Sequence, residues 1–142
     1  MVSLNMVREQ LPTGELKLSA GDCSFTYQRP RPGVLLVTIT GSDRGQFGTA
    51  TLDEIRLELL RNRPLEIFVD AAGATAVRAS VSREWTQFFS LNREQLKRVS
   101  VLAGSKAIEL TVAIAQHLSQ TGNLLQIYTD RELFDARLAS SR

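Results

Sequence analysis

The first pattern along the chain is an alternation of apolar and polar residues over Glu15–Ala20 and again over Cys23–Gln28. Such alternation is typical of strands with one buried and one exposed face. Gly21 and Asp22 leave two residues between the segments, which predicts a tight hairpin and an antiparallel pair. The following segment, Arg29–Gly33, contains two prolines, and we expect it to be a connector because proline cannot donate to a central ladder.

Four later segments are apolar over nearly their whole length: Val34–Thr40, Leu65–Val69, Val99–Leu102 and Leu124–Tyr128. Runs of this kind are typical of strands buried on both faces, as in parallel sheets. Helical periodicity separates them and follows the last one. The order β-β-β-α-β-α-β-α-β-α therefore predicts an α/β fold. We expect a mixed sheet that begins with an antiparallel hairpin and continues through βαβ units with right-handed crossovers and helices packed on the sheet.

Local signals set the expected ends of the first and last helices. Thr51 and Glu54 have the spacing of a capping box, and Pro64 should stop that helix. A second capping box over Thr129–Glu132 predicts the start of the fourth helix, which runs through Leu133, Phe134 and Leu138.

Two stripes at helical spacing define the helices between. The second helix should begin near Ser80 or Ser82, and the third should end at the C-cap pair Gly122-Asn123. The stripe of the second comprises Trp85, Phe88, Phe89 and Leu96. That of the third comprises Ile108, Val112, Ala115 and Leu118.

Length and composition are those of one globular domain. The 142 residues, 43% of them hydrophobic, predict a single domain over residues 1–142 with an ordered core at about 14–138 and loose ends, Met1–Thr13 and Ala139–Arg142. The 17 basic residues exceed the 15 acidic ones by 2, and the arginines are scattered. Nucleic-acid binding requires a clustered basic face, so we expect no nucleic-acid partner.

Targeting and redox signals are few. A single cysteine, Cys23, forms no internal disulfide and no thiolate metal cluster. Met1–Gln10 has no apolar core of signal-peptide length, and the most apolar stretch, Ala107–Ala115, is too short to span a bilayer. We therefore expect a cytoplasmic protein without a membrane span.

Candidate binding residues follow the carboxyl ends of the predicted strands, where open α/β sheets bind their ligands. Gly104-Ser105-Lys106 offers free N–H groups and a cation to an anion, although the alternative for Ser105 is a plain helix cap. The predicted binding residues are Asp43, Arg44, Asp70, Thr75, Ser80, Ser82, Ser105 and Lys106.

Catalytic and cofactor signals are weak. Gly41–Gly48 matches neither the dinucleotide fingerprint nor the phosphate loop. His117 is the only histidine and suits the end of a helix, so no nucleophile–base pair or metal set is predicted. We expect no enzyme, cofactor or metal; the alternative is a small enzyme that uses Asp70, Ser105 and Lys106.

The element order and three blocks resemble the STAS domains of sulfate transporters and anti-sigma-factor antagonists, most closely the stand-alone STAS/SEC14-like bacterial proteins. The blocks are Thr38–Gly41, Ile67–Asp70, and Arg98–Leu102 through Ile127–Asp130. The resemblance covers about residues 15–138. It implies a STAS-like, SpoIIAA-like fold and a non-catalytic regulatory domain that binds a protein partner or a small ligand and often self-associates, which leaves a homodimer open.

One departure concerns regulation. In the anti-sigma-factor antagonists, the strand similar to Leu65–Val69 is followed by an acidic residue and a serine that is phosphorylated. Asp70 matches the acidic position, but Ala71-Ala72-Gly73 stands where the serine is expected. The resemblance thus leaves a phosphorylation-controlled antagonist as an alternative, with Thr75, Ser80 and Ser82 as the nearby hydroxyls.

Overall fold

The computed structural model describes residues 6–140. These form one seven-stranded sheet whose strands lie side by side in chain order. The strands are β1 Val7–Gln10, β2 Leu16–Ala20, β3 Cys23–Arg31, β4 Val34–Asp43, β5 Leu65–Val77, β6 Leu96–Ala103 and β7 Leu125–Tyr128. β1 to β4 pair antiparallel, whereas β4 to β7 pair parallel. The predicted mixed sheet with an N-terminal hairpin is confirmed.

Four α-helices connect or follow the parallel strands: α1 Ala50–Arg61, α2 Ala79–Leu91, α3 Lys106–Ser119 and α4 Arg131–Ser140. The inward side chains of α1, α2 and α3 share one large core with one face of the sheet. α4 buries Phe134 in a separate, smaller cluster with Val34, Phe68 and Leu102. In each strand these three residues alternate with residues of the large core, so α4 covers the opposite face.

The structure corrects both predicted capping boxes. Thr49, not Thr51, is the N-cap residue of α1; Thr51 lies inside the helix, buried, and its carbonyl accepts a 2.8 Å bond from the Tyr27 hydroxyl. At α4, Asp130 rather than Thr129 caps the helix, because its Oδ1 accepts the Glu132 N–H at 2.8 Å. Each site holds two capping-type residues one or two positions apart, and pattern alone does not choose between them.

Two residues assigned to the buried stripes of helices do not fit them. Leu96 is the first residue of β6, since α2 ends at Leu91 and a short 3-10 turn, Arg93–Gln95, intervenes. Leu118 belongs to α3 but is 60% exposed. α3 ends before the predicted Gly122-Asn123, because Gln120 already adopts a left-handed conformation with φ 55° and caps it.

Strands β3, β4 and β5 are longer than predicted. β3 continues through Pro30, which the sheet accommodates by a register shift between Gln28 and Arg31. β5 continues past Asp70 to Val77 beside the extended end of β4. Small residues permit this: a Cβ on Gly73 would lie 3.2 Å from the Thr40 methyl group.

Parts of both segments that the sequence predicted to be loose ends form regular secondary structure. Val7–Gln10 form the exposed edge strand β1, and Ala139 and Ser140 belong to α4, so order in the structure extends beyond residues 14–138. Residues 1–5 and 141–142 of the predicted loose ends lie outside the described residues. None of the helices within residues 6–140 is long and apolar enough to cross a membrane.

Candidate functional site

Asp70, the central predicted site residue, is engaged by the helix on the α4 face. Its two carboxylate oxygens accept bonds from the Arg131 guanidinium at 2.8 and 3.1 Å, and Oδ1 also accepts the Ala72 N–H at 3.1 Å. The hydrogen bond to Asp70 raises the pKa of Arg131. This bidentate pair ties the first turn of α4 to β5 and leaves Asp70 14% exposed. Asp70 therefore has a structural partner where the sequence predicted a ligand contact.

The Gly104-Ser105-Lys106 turn is also satisfied internally. Ser105 Oγ accepts the Ile108 N–H at 3.2 Å, so the helix-cap alternative for Ser105 is confirmed. Lys106 Nζ lies 3.2 Å from a carboxylate oxygen of Glu109 on the same helix. A Cβ on Gly104 would lie 2.5 Å from the Ala72 carbonyl oxygen, which shows how closely this turn packs on the end of β5.

Asp43 and Ser82 both line a small cavity of about 60 Å³ between the sheet and helices α2 and α3. Asp43 is 4% exposed, and its Oδ1 accepts the Gly45 N–H at 2.9 Å. Burial raises the pKa of Asp43, and the lining of the cavity is otherwise mostly apolar. Ser82 is buried and faces this cavity instead of solvent. None of the other six predicted residues lines it.

The last three predicted residues lie at the surface around the same end of the sheet. Arg44 is exposed in the loop after β4. The Thr75 hydroxyl lies 2.8 Å from that of Ser42 on the neighbouring strand. Ser80 is exposed in the first turn of α2. The eight predicted residues thus occupy several separate environments, and their role in binding stays a prediction.

A larger groove lies at the other end of α1, and the sequence analysis missed it. It has a volume of about 630 Å³ and runs between the C-terminal half of α1 and strands β1 to β3. Its cationic side chains are Arg8, Arg29 and Arg61. The available sequence signal was the spacing of Glu54, Glu58 and Arg61, which places them on one helix face; Arg8 lay in a segment predicted to be loose.

α3 also presents an unexpected apolar stripe. Leu110, Ile114 and Leu118 are spaced by four residues and are 51%, 60% and 60% exposed. Ile108 and Ala115 on the same helix are buried. Leu91, at the end of the adjacent α2, is 87% exposed. We call Leu110, Ile114 and Leu118 the α3 stripe.

Cys23 is buried in the core, whereas His117 is exposed at a helix end. Cys23 is 1% exposed, and burial together with the charges of Asp43 and Asp22 raises the pKa of its thiol to about 12. His117 is exposed in the last turn of α3. Within residues 6–140, no three His, Cys, Asp or Glu side chains are grouped so that they could hold a metal ion.

Comparison with known proteins identifies the fold. No family model matches the chain, and no curated protein matches it in sequence. Solved structures do: an anti-sigma factor antagonist from Mycobacterium paratuberculosis has a TM-score of 0.59 at 15% identity, covering 86% of this chain and 99% of that one. An uncharacterized protein with a SpoIIAA-like fold from Shewanella loihica has a TM-score of 0.53 at 13% identity, covering 84% and 98%.

The chain has the SpoIIAA-like, or STAS-like, fold, as the sequence resemblance implied. The match covers most of this chain and almost all of each neighbour, so it concerns the whole architecture and not one βαβ unit. At these identities the likeness establishes the fold alone.

Proposed function

We propose that this chain is a non-enzymatic regulatory module that binds a protein partner through the α3 stripe. One structural neighbour is an anti-sigma factor antagonist, and the proposal extends that class of role, regulation, to this chain. The observation that carries it is the exposure of Leu110, Ile114 and Leu118 on one helix face.

The α3 stripe differs from ordinary surface exposure of single apolar residues. Residues four apart lie next to one another on a helix, so the three side chains form a continuous ridge about two turns long. Exposed apolar patches of this kind mark surfaces that another protein covers. The partner surface that fits is an apolar one, since the three members of the ridge carry no charge.

The chemistry of the predicted site also favours binding over catalysis. A small enzyme using Asp70, Ser105 and Lys106 would need these groups to be available to a substrate. Asp70 is bound by Arg131, Ser105 caps α3, and Lys106 pairs with Glu109. Each group already has an intramolecular role, which supports the non-enzymatic proposal.

Ile114→Asp tests the proposal against Leu133→Asp, a matched control on α4 with 61% exposure. Affinity-tagged chain is expressed in its native host, and co-purified proteins are quantified by mass spectrometry. We expect one partner in near-stoichiometric amount with the wild type and the control, and at least tenfold less with Ile114→Asp. The proposal fails if no partner is recovered, or if both substitutions reduce its recovery equally.

Phosphorylation control is the second candidate function, and the position of Ser80 favours it. Ser80 is exposed in the first turn of α2, a turn without acidic residues, and Arg78 is the N-cap. The helix dipole and a nearby cation stabilise a phosphate there. By contrast, Ser82 is buried, and Ala71-Ala72-Gly73 lies within β5 and offers no hydroxyl.

Intact-mass measurement on protein from the native host separates the two candidates. Our first proposal is a constitutive binder, so we expect no stoichiometric phosphate between Asp70 and Trp85. A clean shift of one phosphate mapped to Thr75, Ser80 or Ser82 would replace it with the phosphorylation-controlled antagonist.

A further inference from the structure

We propose that the groove between α1 and strands β1 to β3 binds a small amphipathic anion, an organic carboxylate or phosphate ester with an aliphatic body. This inference is independent of the protein-binding proposal, because the groove and the α3 stripe share no residue.

The groove forms where the sheet extends beyond the helices that cover it. β1 and β2 extend the sheet beyond α1, and near Leu16 the sheet face is only partly covered. Further along the sheet, Phe47 of the loop before α1 packs against Phe25 of β3 and covers the same face. The open end has a volume of about 630 Å³, within the range of about 300–1,000 Å³ typical of small-molecule sites.

Aliphatic side chains supply the apolar part of the lining. Leu16 and Leu35 come from the sheet and Leu57 from α1, where it is 45% exposed. The Tyr27 ring also lines the groove, and its hydroxyl is already bonded to the Thr51 carbonyl at 2.8 Å. These surfaces favour an aliphatic group, because its burial removes apolar area from water on both sides.

The carboxylates of the lining are already partnered. The Arg8 Nε–H donates to Glu54 at 3.2 Å, and the Gln28 side-chain amide donates to Glu15 at 2.9 Å. The buried Glu58 accepts hydrogen bonds from Arg29 Nε at 2.7 Å and from the Asn62 side-chain amide at 2.9 Å.

The arginines retain unused donors. Within residues 6–140, Arg29 hydrogen bonds through Nε alone, so both of its terminal amino groups are unused, and the Arg61 guanidinium has no hydrogen-bond or ion-pair partner. The groove therefore offers unused guanidinium donors, whereas each of its three carboxylates already accepts a hydrogen bond from the protein.

The buried Glu58 fixes the orientation of one arginine of the groove, Arg29. Glu58 is 4% exposed and holds the guanidinium of Arg29, which is itself 53% exposed. An arginine oriented by a buried carboxylate loses less side-chain freedom when a ligand binds. A ligand with acceptor oxygens and a negative charge complements Arg29 and Arg61, and an aliphatic body complements the leucines.

The test uses octanoate and octyl phosphate as probes, with isothermal titration calorimetry on the full chain. We expect saturable one-to-one binding of at least one of the two anions, with a Kd below about 10 mM. Octanol, which lacks the charge, and inorganic phosphate, which lacks the aliphatic body, should each bind at least tenfold more weakly. The two anions distinguish a carboxylate from a phosphate head group.

Two pairs of variants locate the site. Arg61→Gln should weaken binding about tenfold, whereas Arg83→Gln, at an exposed arginine on α2, should change it less than twofold. Leu57→Asn should weaken binding about fivefold, whereas Leu60→Asn, on the same helix but outside the groove, should not. Arg61 and Arg83 have no side-chain partner within residues 6–140, so both arginine variants are expected to fold.

Three results would overturn the inference: neither anion binds saturably, octanol binds as tightly as the anions, or a control variant weakens binding as much as its partner. Loss of the protein partner in the Ile114→Asp experiment would leave the titration unchanged.

Discussion

The two faces of the sheet are covered in different ways. On the face of α1, α2 and α3, aromatic rings contact one another across layers: Phe25 stacks on Trp85 at 5.7 Å between ring centroids, and Trp85 meets Phe89 edge-on at 6.0 Å. On the other face, α4 contributes a single fully buried residue, Phe134, which packs on Phe68 and Tyr128. One face is thus a shared core, and the other is a single helix with one anchor.

Polar contacts supplement the single buried anchor of α4. Besides the Asp70–Arg131 pair, Arg137 lies 3.4 Å from the buried carboxylate of Glu66, and Arg31 donates to the Leu138 carbonyl. Because few apolar contacts support it, α4 should open locally without unfolding of the sheet, as marginally packed elements do in native proteins. The difference between the faces predicts which substitutions act globally and which act on α4 alone.

The largest effect is expected for Phe89→Ala. Phe89 is 2% exposed in the shared core, and truncation of such a ring typically costs about 3–5 kcal/mol. Urea unfolding should shift as one transition, with fluorescence of the single tryptophan and circular dichroism giving the same midpoint. Separate midpoints for the two probes would show that this face is not one cooperative unit.

Phe134→Ala should have a smaller effect on global unfolding, about 2 kcal/mol or less, although Phe134 is 1% exposed. The cost is limited because α4 can detach while the shared core persists. Hydrogen exchange should then show unprotected amides throughout α4 and retained protection in β5. Leu133→Ala, at the exposed neighbouring position, should stay within about 0.5 kcal/mol. Global destabilisation as large as that of Phe89→Ala would contradict the proposed independence of α4.

The Asp70–Arg131 pair should contribute about 1 kcal/mol of coupling in a double-mutant cycle with Asp70→Asn and Arg131→Gln. The geometry is bidentate, but Arg131 is 50% exposed, so solvent and salt screen the pair. The coupling should fall between low and high salt and should appear in α4 exchange more than in global unfolding. A coupling near zero at low salt would mean that Phe134 alone positions the helix.

The sequence predicted the shared core well because its signals are local. Trp85, Phe88 and Phe89 lie at helical spacing, and runs such as Leu65–Val69 identify buried strands without knowledge of their neighbours. The contacts of α4 have no such signal, since Arg131 reaches Asp70 across 61 positions of the chain. Asp70 therefore looked like a free carboxylate at the end of a strand.

The groove escaped prediction for a related reason. It depends on strand β1, whose four exposed residues, Val7–Gln10, carry no apolar alternation. Their order comes from pairing with β2, a long-range property that local pattern does not contain. The α3 stripe was missed differently: Leu118 has the spacing of a core residue, and only the packing of the neighbouring elements leaves it outside.

The smallest effect is expected at Asp43, a buried carboxylic acid beside the shared core. Burial raises its pKa above the ordinary 3.8, with a further contribution from Glu84, against the opposing effects of the Gly45 N–H and Arg78. Between the two pKa values the folded state binds more protons than the unfolded one, so this group's contribution to stability falls as pH rises through that window.

The Asp43→Asn variant removes this titration while keeping an oxygen that can accept the Gly45 N–H. Relative to wild type it should gain stability, by less than about 1 kcal/mol, as pH rises through the two pKa values of the Asp43 carboxyl, because only the wild type acquires a buried charge. Urea midpoints of both proteins at several pH values measure the difference. If wild type instead gains on the variant with rising pH, the Asp43 carboxylate is stabilised in the folded state, and the shared core tolerates a charge that its apolar lining should disfavour.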